Sequence, residues 1–354
     1  MRVGITGHNG FIGYFLKTYL EFFTDMTPVE KTPSDDFTDV DFVVHLAEKN
    51  RGDSNEVYRN NRTTCKQLIR ALKDTDTRLI YGSSIHYEDD DIFGLYRREN
   101  ENEFLENLKD PMIIRIPNVF GPFCKPNYNS FVATFCHSLI NEESIDVSDS
   151  EVTLIYVENL VERITSMIED YDIYGPVHTF SGDVNTTVQR VYKKLIEFKQ
   201  SYLEKLTVPD LSDSFDLNLF NTFRSYLSKD QRLFRVKDFI DDRGRLSELA
   251  KSKGQSQVFY STTKPGIVRG EHFHTSKIER FCVIGGTASI KIRRLGFKEI
   301  DEYVVSHEDF SVIDMPVYCT HNIKNVGTDE LFCVFWMDQI IYDGKDGDTF
   351  HLKV

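Results

Sequence analysis

Gly266-Ile-Val-Arg-Gly-Glu-His272-Phe-His274-Thr-Ser-Lys-Ile-Glu279, with a glycine at Gly286 and then Pro316-Val-Tyr-Cys-Thr-His321-Asn-Ile-Lys-Asn325, is the stretch on which the reading of this chain turns. His272 and His274 are one residue apart, and on a strand such residues share a face, because side-chain direction alternates with a period of two. A carboxylate at Glu279 and an imidazole at His321, brought in by a distant strand, close the shell. Imidazole nitrogen with one carboxylate oxygen suits a divalent first-row ion, and zinc is the expected one. The stretch therefore reads as strands around a metal site with His272, His274, Glu279 and His321 as ligands.

Both halves of this pattern, glycines included, resemble the cupin signature, except that Tyr318 stands where the signature has a glycine. The resemblance implies an all-β jelly-roll barrel over residues 235–354.

Working outward, 354 residues exceed the usual single domain, so two domains are expected. Apolar residues at 40% supply real cores. A formal net charge of −14 argues against a general nucleic-acid binder and against a partner of anionic membrane surfaces. Cys65, Cys124, Cys136, Cys282, Cys319 and Cys333 are scattered without a Cys-x-x-Cys pair, which suits a reducing compartment. No long uncharged apolar run occurs, so a cytoplasmic chain without membrane insertion is expected.

Met1 to Thr6 reads as a buried strand, followed by Gly7-His-Asn-Gly10-Phe11-Ile-Gly13 and an amphipathic helix to about Phe22. Such glycines permit a tight turn and let backbone amides approach a pyrophosphate at the helix N-terminus. Strands at Asp41–Ala47, Arg78–Ser84 and Met112–Pro117 alternate with helices at Val57–Lys73 and Arg97–Leu108. The alternation predicts an α/β Rossmann-like, doubly wound parallel sheet over residues 1–234. Glu30 and Lys31 after the second strand leave NAD and NADP both open, since one suits a 2′-hydroxyl and the other a 2′-phosphate. Lys125 and Asn127, in a segment rich in Asn and Tyr, suit a nucleotide-sugar or a packed loop equally. A helix runs from Val188 towards Tyr202, Pro209 to Asp230 reads as a docking helix or linker, and the domain boundary falls near Arg232 to Val236.

Gly7-x-x-Gly10-Phe11-x-Gly13, His45-Leu-Ala47, Asn61, Ser83-Ser84 and Arg115-x-Pro117-Asn118-x-Phe-Gly121 resemble the extended short-chain dehydrogenase/reductases. Gly121-Pro-Phe-Cys-Lys-Pro-Asn-Tyr-Asn-Ser130, Ala133-Thr-Phe-Cys136 and Asp241-Asp-Arg-Gly244 narrow the likeness. They resemble the bifunctional capsule and lipopolysaccharide enzymes that form UDP-2-acetamido-2,6-dideoxy-L-talose from a UDP-4-keto-6-deoxy-N-acetylhexosamine. That resemblance implies epimerisation at carbon 3 by the cupin and reduction of the carbon 4 ketone with NADPH by the first domain. It also implies a UDP-linked deoxy amino sugar as ligand, a homodimer or higher homo-oligomer, Gly7, Gly10, Phe11, Gly13, Asn61, Pro117 and Asn118 at the cofactor, and Ser84 and Arg97 as catalytic candidates of the first domain.

One departure weighs against the reductase. Where the family has Tyr-x-x-x-Lys, this chain has Phe93-Gly-Leu-Tyr-Arg97. Phenylalanine has no proton to donate, and such donation typically contributes about 100- to 10,000-fold. Arg97 keeps the charge but offers a planar fork instead of a point charge. Tyr96 does not restore the motif, because its fourth neighbour is Asn100, and the glycine after His-Leu-Ala is Glu48. Ketone reduction is expected to be impaired. The alternative is a non-catalytic first domain that binds a nucleotide or nucleotide-sugar or serves oligomerisation.

Asp242-Arg243-Gly244-Arg-Leu-Ser-Glu248 and Lys264-Pro-Gly-Ile-Val-Arg269-Gly-x-His272 also resemble the metal-free nucleotide-sugar 3,5-epimerases, in which the last histidine is the general base. A nitrogen whose lone pair is on a metal cannot take a substrate proton, so the two readings compete. The metal reading is favoured because His274 and Glu279 have no purpose in the other. Lys264 and Arg269 are then candidates to hold the pyrophosphate, and Tyr318 to donate a proton.

Overall fold

The computed structural model describes residues 1–235, 238–241, 244–247, 251–254, 256–309, 311–339 and 347–354, with 235, 238–241, 244–247 and 251 described through their backbone only. Asp242, Arg243 and Glu248 of the motif at the barrel entry lie outside the described residues. The chain gathers into two compact units, Met1–Thr134 with Val147–Arg190, and Phe135–Asp146 with Val191–Val354.

In the first unit β1 (Arg2–Thr6), α1 (Phe11–Phe23), β2 (Thr27–Lys31), β3 (Phe42–His45), α2 (Ser54–Leu72), β4 (Arg78–Ser84), α3 (Ile92–Asn107) and β5 (Met112–Ile116) alternate. They are followed by β6 (Asn118–Phe120), the first turn of α4 (Phe131–Ile140), whose remainder from Phe135 belongs to the second unit, then β7 (Glu151–Tyr156), α5 (Val157–Glu169), β8 (Val177–Thr179) and β9 (Val184–Thr187). Among the described residues the main sheet runs β2-β1-β3-β4-β5-β8, all parallel. Its central strands are continuous apolar runs because both faces are covered: Val3, Ile5, Val43, Val44, Leu79, Ile80, Ile113 and Ile114 are all buried. The order reverses between β1 and β3, and such a switch point opens the ligand crevice of a doubly wound sheet.

The helix expected from Arg97 starts earlier, at Ile92. Asp91 caps it by accepting from the Gly94 amide at 2.8 Å. Gly94 allows the first turn to press on the preceding loop, since a Cβ there would stand 2.1 Å from the Asp89 carbonyl oxygen. Phe93, Tyr96 and Arg97 therefore ride on one helix.

The second unit holds most of α6 (Val188–Phe198), its continuation as a π-helical turn (Lys199–Glu204), and α7 (Ser214–Arg224). β10 (Thr207–Val208) pairs through the backbone with a strand at Lys251–Ser252. The other strands are β11 (Leu233–Arg235), the hairpin β12 (Asp238–Asp241) and β13 (Gly244–Ser247), β14 (Lys251–Ser252), β15 (Gln257–Thr263), β16 (Val268–Phe273), β17 (Glu279–Gly285), β18 (Thr287–Arg294), β19 (Asp301–Ser306), β20 (Ser311–Met315), β21 (Cys319–Asn325), β22 (Leu331–Met337) and β23 (Phe350–His351). Two antiparallel sheets, β11-β20-β17-β22-β15 and β19-β18-β21-β16-β23, form the barrel among the described residues.

The helices before the barrel belong to its packing. Phe198 and Tyr202 meet the Phe220 ring, and Tyr202 meets Phe234, with centroids 4.9–5.5 Å apart. Buried Arg224 on α7 donates to Asp314 on β20 at 2.7 Å and to the Met315 carbonyl at 2.8 Å. For this reason compactness divides the chain near Arg190, earlier than the 234/235 boundary read from the motifs.

Candidate metal centre and nucleotide crevice

β16, β17 and β21 carry the four candidate ligands or flank them. A bulge interrupts the β16 and β21 pairing between Gly270 and His272, where Glu271 takes a φ of +59°. Bulges re-aim side chains next to sites. Here His272 faces His321 across the ladder, with ring centroids 4.8 Å apart. One ligand atom from each of His272, His274, Glu279 and His321 lies within 4.8 Å of all the others. Glu279 Oε2 is 3.3 Å from His274 Nε2 and 3.2 Å from His321 Nε2. His272 Nε2 is buried without a hydrogen-bond partner among the described residues, an orphan that a cation would satisfy.

Burial, with His321 and His274 beside it, pushes His272 down to about 3. Burial alone would raise Glu279, but hydrogen bonds from His274 and His321 hold its carboxyl well below the usual range. His274 rises despite burial, because Glu279 bonds and attracts its charged form. A neutral imidazole and a carboxylate in one buried pocket are the donor types a divalent ion requires.

The far nitrogens are held as well. His274 Nδ1 donates to the Asp348 carbonyl and His321 Nδ1 to the Cys319 carbonyl at 3.2 Å, which turns each Nε2 to the cluster. The Asp348 carboxylate accepts from the amides of Thr275, Ser276 and Lys277 at 2.7–2.9 Å, fixing the turn between His274 and Glu279. Asp348 lies some 70 residues from that turn, so no local spacing in the sequence announces its part.

Tyr318 is buried, and its amide donates to the His274 carbonyl at 2.7 Å. Its φ of +55° lies in the left-handed region, which explains the glycine of the cupin pattern. Lys264 and Arg269 are exposed and make no ion pair among the described residues.

In the first unit Gly7 (φ +79°) and Gly13 close the turn after β1: a Cβ on Gly7 would meet the Ala47 nitrogen at 2.8 Å, and one on Gly13 the Gly7 oxygen at 2.2 Å. The Gly10 amide donates to the Gly7 carbonyl at 2.8 Å. This cradle at the start of α1 fits a pyrophosphate. Phe11 instead packs edge-on to Phe15 at 5.6 Å. Asn61 is spent on the backbone of Lys49, accepting from its amide at 2.8 Å and donating to its carbonyl at 3.0 Å. Lys31 and Glu30 are both engaged, with Asp39 and Lys17 respectively at 2.5 Å.

Around the altered motif, Glu48 accepts from Tyr81 at 3.0 Å, Tyr96 at 3.3 Å and Arg97 at 3.0 Å. Burial, then Glu48, pushes the Tyr96 phenol far up, so it holds its proton. Ser84 accepts from the His86 amide at 3.1 Å, and Asn118 faces the His86 ring at 3.4 Å. Pro117 links β5 to β6. Lys125 lies 5.5 Å over the Tyr128 ring, and the Asn127 amide donates to Thr134 at 3.0 Å. The structure thus gathers the four metal candidates, places Ser84 and Asn118 each against His86, and spends Asn61 and Arg97 on contacts within the protein.

Residues 239–350 match the polysaccharide biosynthesis C-terminal domain family. A UDP-2-acetamido-2,6-beta-L-arabino-hexul-4-ose reductase of Pseudomonas aeruginosa is 31% identical, covering 100% of this chain and 99% of its own. The crystal structure of the capsular polysaccharide assembling protein CapF from Staphylococcus aureus is 33% identical, covers 100% of both chains and superposes with a TM-score of 0.61. The chain belongs to the nucleotide-sugar-modifying enzymes of capsular polysaccharide biosynthesis. In this family member the matched C-terminal segment contains all four candidate ligands, while the altered pair Phe93 and Arg97 lies in the α/β unit. Among the described residues no helix is long and apolar enough to cross a membrane.

Proposed function

We propose that this chain is a metal-dependent 3-epimerase of a UDP-linked 4-keto-6-deoxy-N-acetylhexosamine, with 4-ketone reduction in its first domain impaired. The observation that carries the reading is the buried convergence of His272, His274, Glu279 and His321, with His272 Nε2 left without a partner. These four would hold a divalent ion, zinc before others. Such an ion supplies Lewis-acid polarisation of a carbonyl oxygen or a bound water of lowered pKa. Exposed Lys264 and Arg269 are assigned to the pyrophosphate, and Lys125 and Asn127 to the nucleotide-sugar in the first domain. Tyr318, anchored through its amide to the His274 carbonyl, is assigned as proton donor.

Impairment rests on Phe93 and on the closed network of Glu48, Arg97, Tyr81 and Tyr96. The cradle of Gly7, Gly10 and Gly13 supports binding of NADP or NAD, and the same closed network favours the second reading, a first domain that binds a nucleotide without turnover. Residues 1–234 and 235–354 are the proposed inherited domains. The described cysteines are buried and none of them is joined in a disulfide among the described residues, which supports a cytoplasmic location, and a homodimer or higher homo-oligomer is the proposed assembly. Incubation with the 4-keto sugar nucleotide in deuterated water, with and without NADPH, tests the whole. Deuterium at carbon 3 without fast NADPH oxidation is the expected result. Oxidation at an ordinary enzymatic rate overturns the impairment, and absence of exchange overturns the epimerase.

A further inference from the structure

The glycine turn that fits a pyrophosphate has a carboxylate beside it and no cation turned towards it from β2. We propose that Glu30, near the end of β2, makes the first domain bind NAD(H) in preference to NADP(H), by accepting from the adenosine 2′-hydroxyl and repelling a 2′-phosphate. This rests on the reading that the cradle of Gly7, Gly10 and Gly13 binds a dinucleotide, and it departs from the NADPH that the family resemblance implies.

In a doubly wound sheet an acidic residue about 20 positions beyond the glycine turn takes the ribose hydroxyl, whereas a nearby cation takes the phosphate. Glu30 and Lys31 offer one of each, and packing separates them. β2 runs parallel to β1 with Ile5 opposite Glu30 and Thr6 opposite Lys31, so both begin near the carboxyl edge from which the glycine turn springs. As neighbours on a strand they leave on opposite faces.

Lys31 is turned back from that edge. Its stem lies over β1, where a Cβ on Gly4 would stand 3.3 Å from Lys31 Cγ. Its ammonium donates to Asp39 Oδ1 at 2.5 Å and to the Asp36 carbonyl at 2.6 Å. Asp39 also accepts from Arg2 at 3.0 Å, and Arg2 is the first residue of β1, at the opposite end of the strand from the turn. The Lys31 side chain is only 11% exposed in this position.

Glu30 instead is 53% exposed and stands against the turn. Its Oε2 is 3.6 Å from Nε2 of His8, which follows Gly7 directly and accepts from the Asn9 carboxamide at 2.9 Å. Its Oε1 accepts from Lys17 on α1 at 2.5 Å, and that bond holds the carboxyl below its usual range, so it stays charged. Just beyond β2, Asp35 accepts from the Thr32 amide and hydroxyl, each at 2.7 Å. Residues 26–41 contain no arginine. A 2′-phosphate placed beside Glu30 meets a like charge, while a hydroxyl there gains a charge-assisted hydrogen bond.

Fluorescence titration of the full chain with NADH and with NADPH, without sugar nucleotide, measures both dissociation constants. Wild type binds NADH about tenfold more tightly, the scale of one hydrogen bond to a charged group. Glu30→Gln removes the charge and releases Lys17, and tightens NADPH about tenfold. Lys17→Gln placed in the Glu30→Gln chain takes that gain back. Lys31→Gln leaves the ratio unchanged, because its ammonium serves Asp39. Wild type binding NADPH as tightly as NADH, Glu30→Gln keeping the wild-type ratio, or NADPH binding lost in Lys31→Gln alone overturns the proposal and leaves the cradle reading standing. Wild type binding neither dinucleotide overturns the cradle reading and the proposal with it. Since the selectivity is a difference in affinity, an excess of NADPH still fills the site in the reduction assay.

Discussion

Arg97 Nη2 stands 3.0 Å from Glu48 Oε2, with the two side chains 12% and 13% exposed. These residues occupy the positions where the resembling family has a lysine and a glycine, so two departures that look independent in the sequence answer one another. An anion at Glu48 alone would be costly in this buried place. Arg97, with Tyr81 and Tyr96, satisfies it.

Removing one partner should expose that dependence. Arg97→Ala is expected to cost about 3 kcal/mol in urea denaturation, because it strands a buried carboxylate. The double variant Glu48→Ala with Arg97→Ala should lose less than the sum of the singles. Strict additivity would mean that the pair is not coupled.

Restoring the family motif gives a second test. Glu48→Gly, Phe93→Tyr and Arg97→Lys together should raise NADPH oxidation with the 4-keto sugar about 100-fold over wild type, the usual scale of a positioned acid. A rate equal to wild type would place the deficit elsewhere.

The metal centre is read by composition and stability. Elemental analysis of purified protein should find zinc, and His272→Ala or His321→Ala should lose it. Adding zinc to chelated wild type should raise the melting temperature, by an amount corresponding to about 2.7 kcal/mol at a hundredfold excess over Kd. The same addition should leave the melting temperature of His321→Ala unchanged.

Tyr318 carries a backbone cost that a glycine would not. Tyr318→Ala loses buried contacts and keeps the φ of +55°, whereas Tyr318→Gly loses the contacts and relieves the strain. Tyr318→Gly should therefore be more stable than Tyr318→Ala by about 1 kcal/mol, a reversal of the usual advantage of alanine over glycine.

Asp338 links stability to pH. Burial pushes its carboxyl up to about 6 from an ordinary 3.8, so the folded state binds more protons than the unfolded one between these values. Stability contributed by this group is present below about pH 4 and falls as pH climbs to about 6. Asp338→Asn keeps an acceptor for the Ile278 amide and should stabilise the protein at pH 7 by roughly 2 kcal/mol, with no gain at pH 4. Equal effects at both values would contradict the shift.

Much of this was legible in the chain itself, because the relevant patterns are local. Period-two spacing put His272 and His274 together, a glycine-rich turn after an apolar run announced the first crevice, and alternating segments announced the parallel sheet. The start of α3 was not legible, since Asp91 and Gly94 act through a cap and a close approach to Asp89.

By itself the sequence determined the two folds, the four candidate ligands and the absence of the phenol at Phe93, since each depends on residue type and short spacing. Only the tertiary structure decided that Glu48 and Arg97 neutralise each other, that Asp348 anchors the turn between ligands, and that His86 stands between Asp89 and Asn118. These are contacts between residues brought together by packing, and their chemistry follows from distance and burial, which no spacing along the chain records.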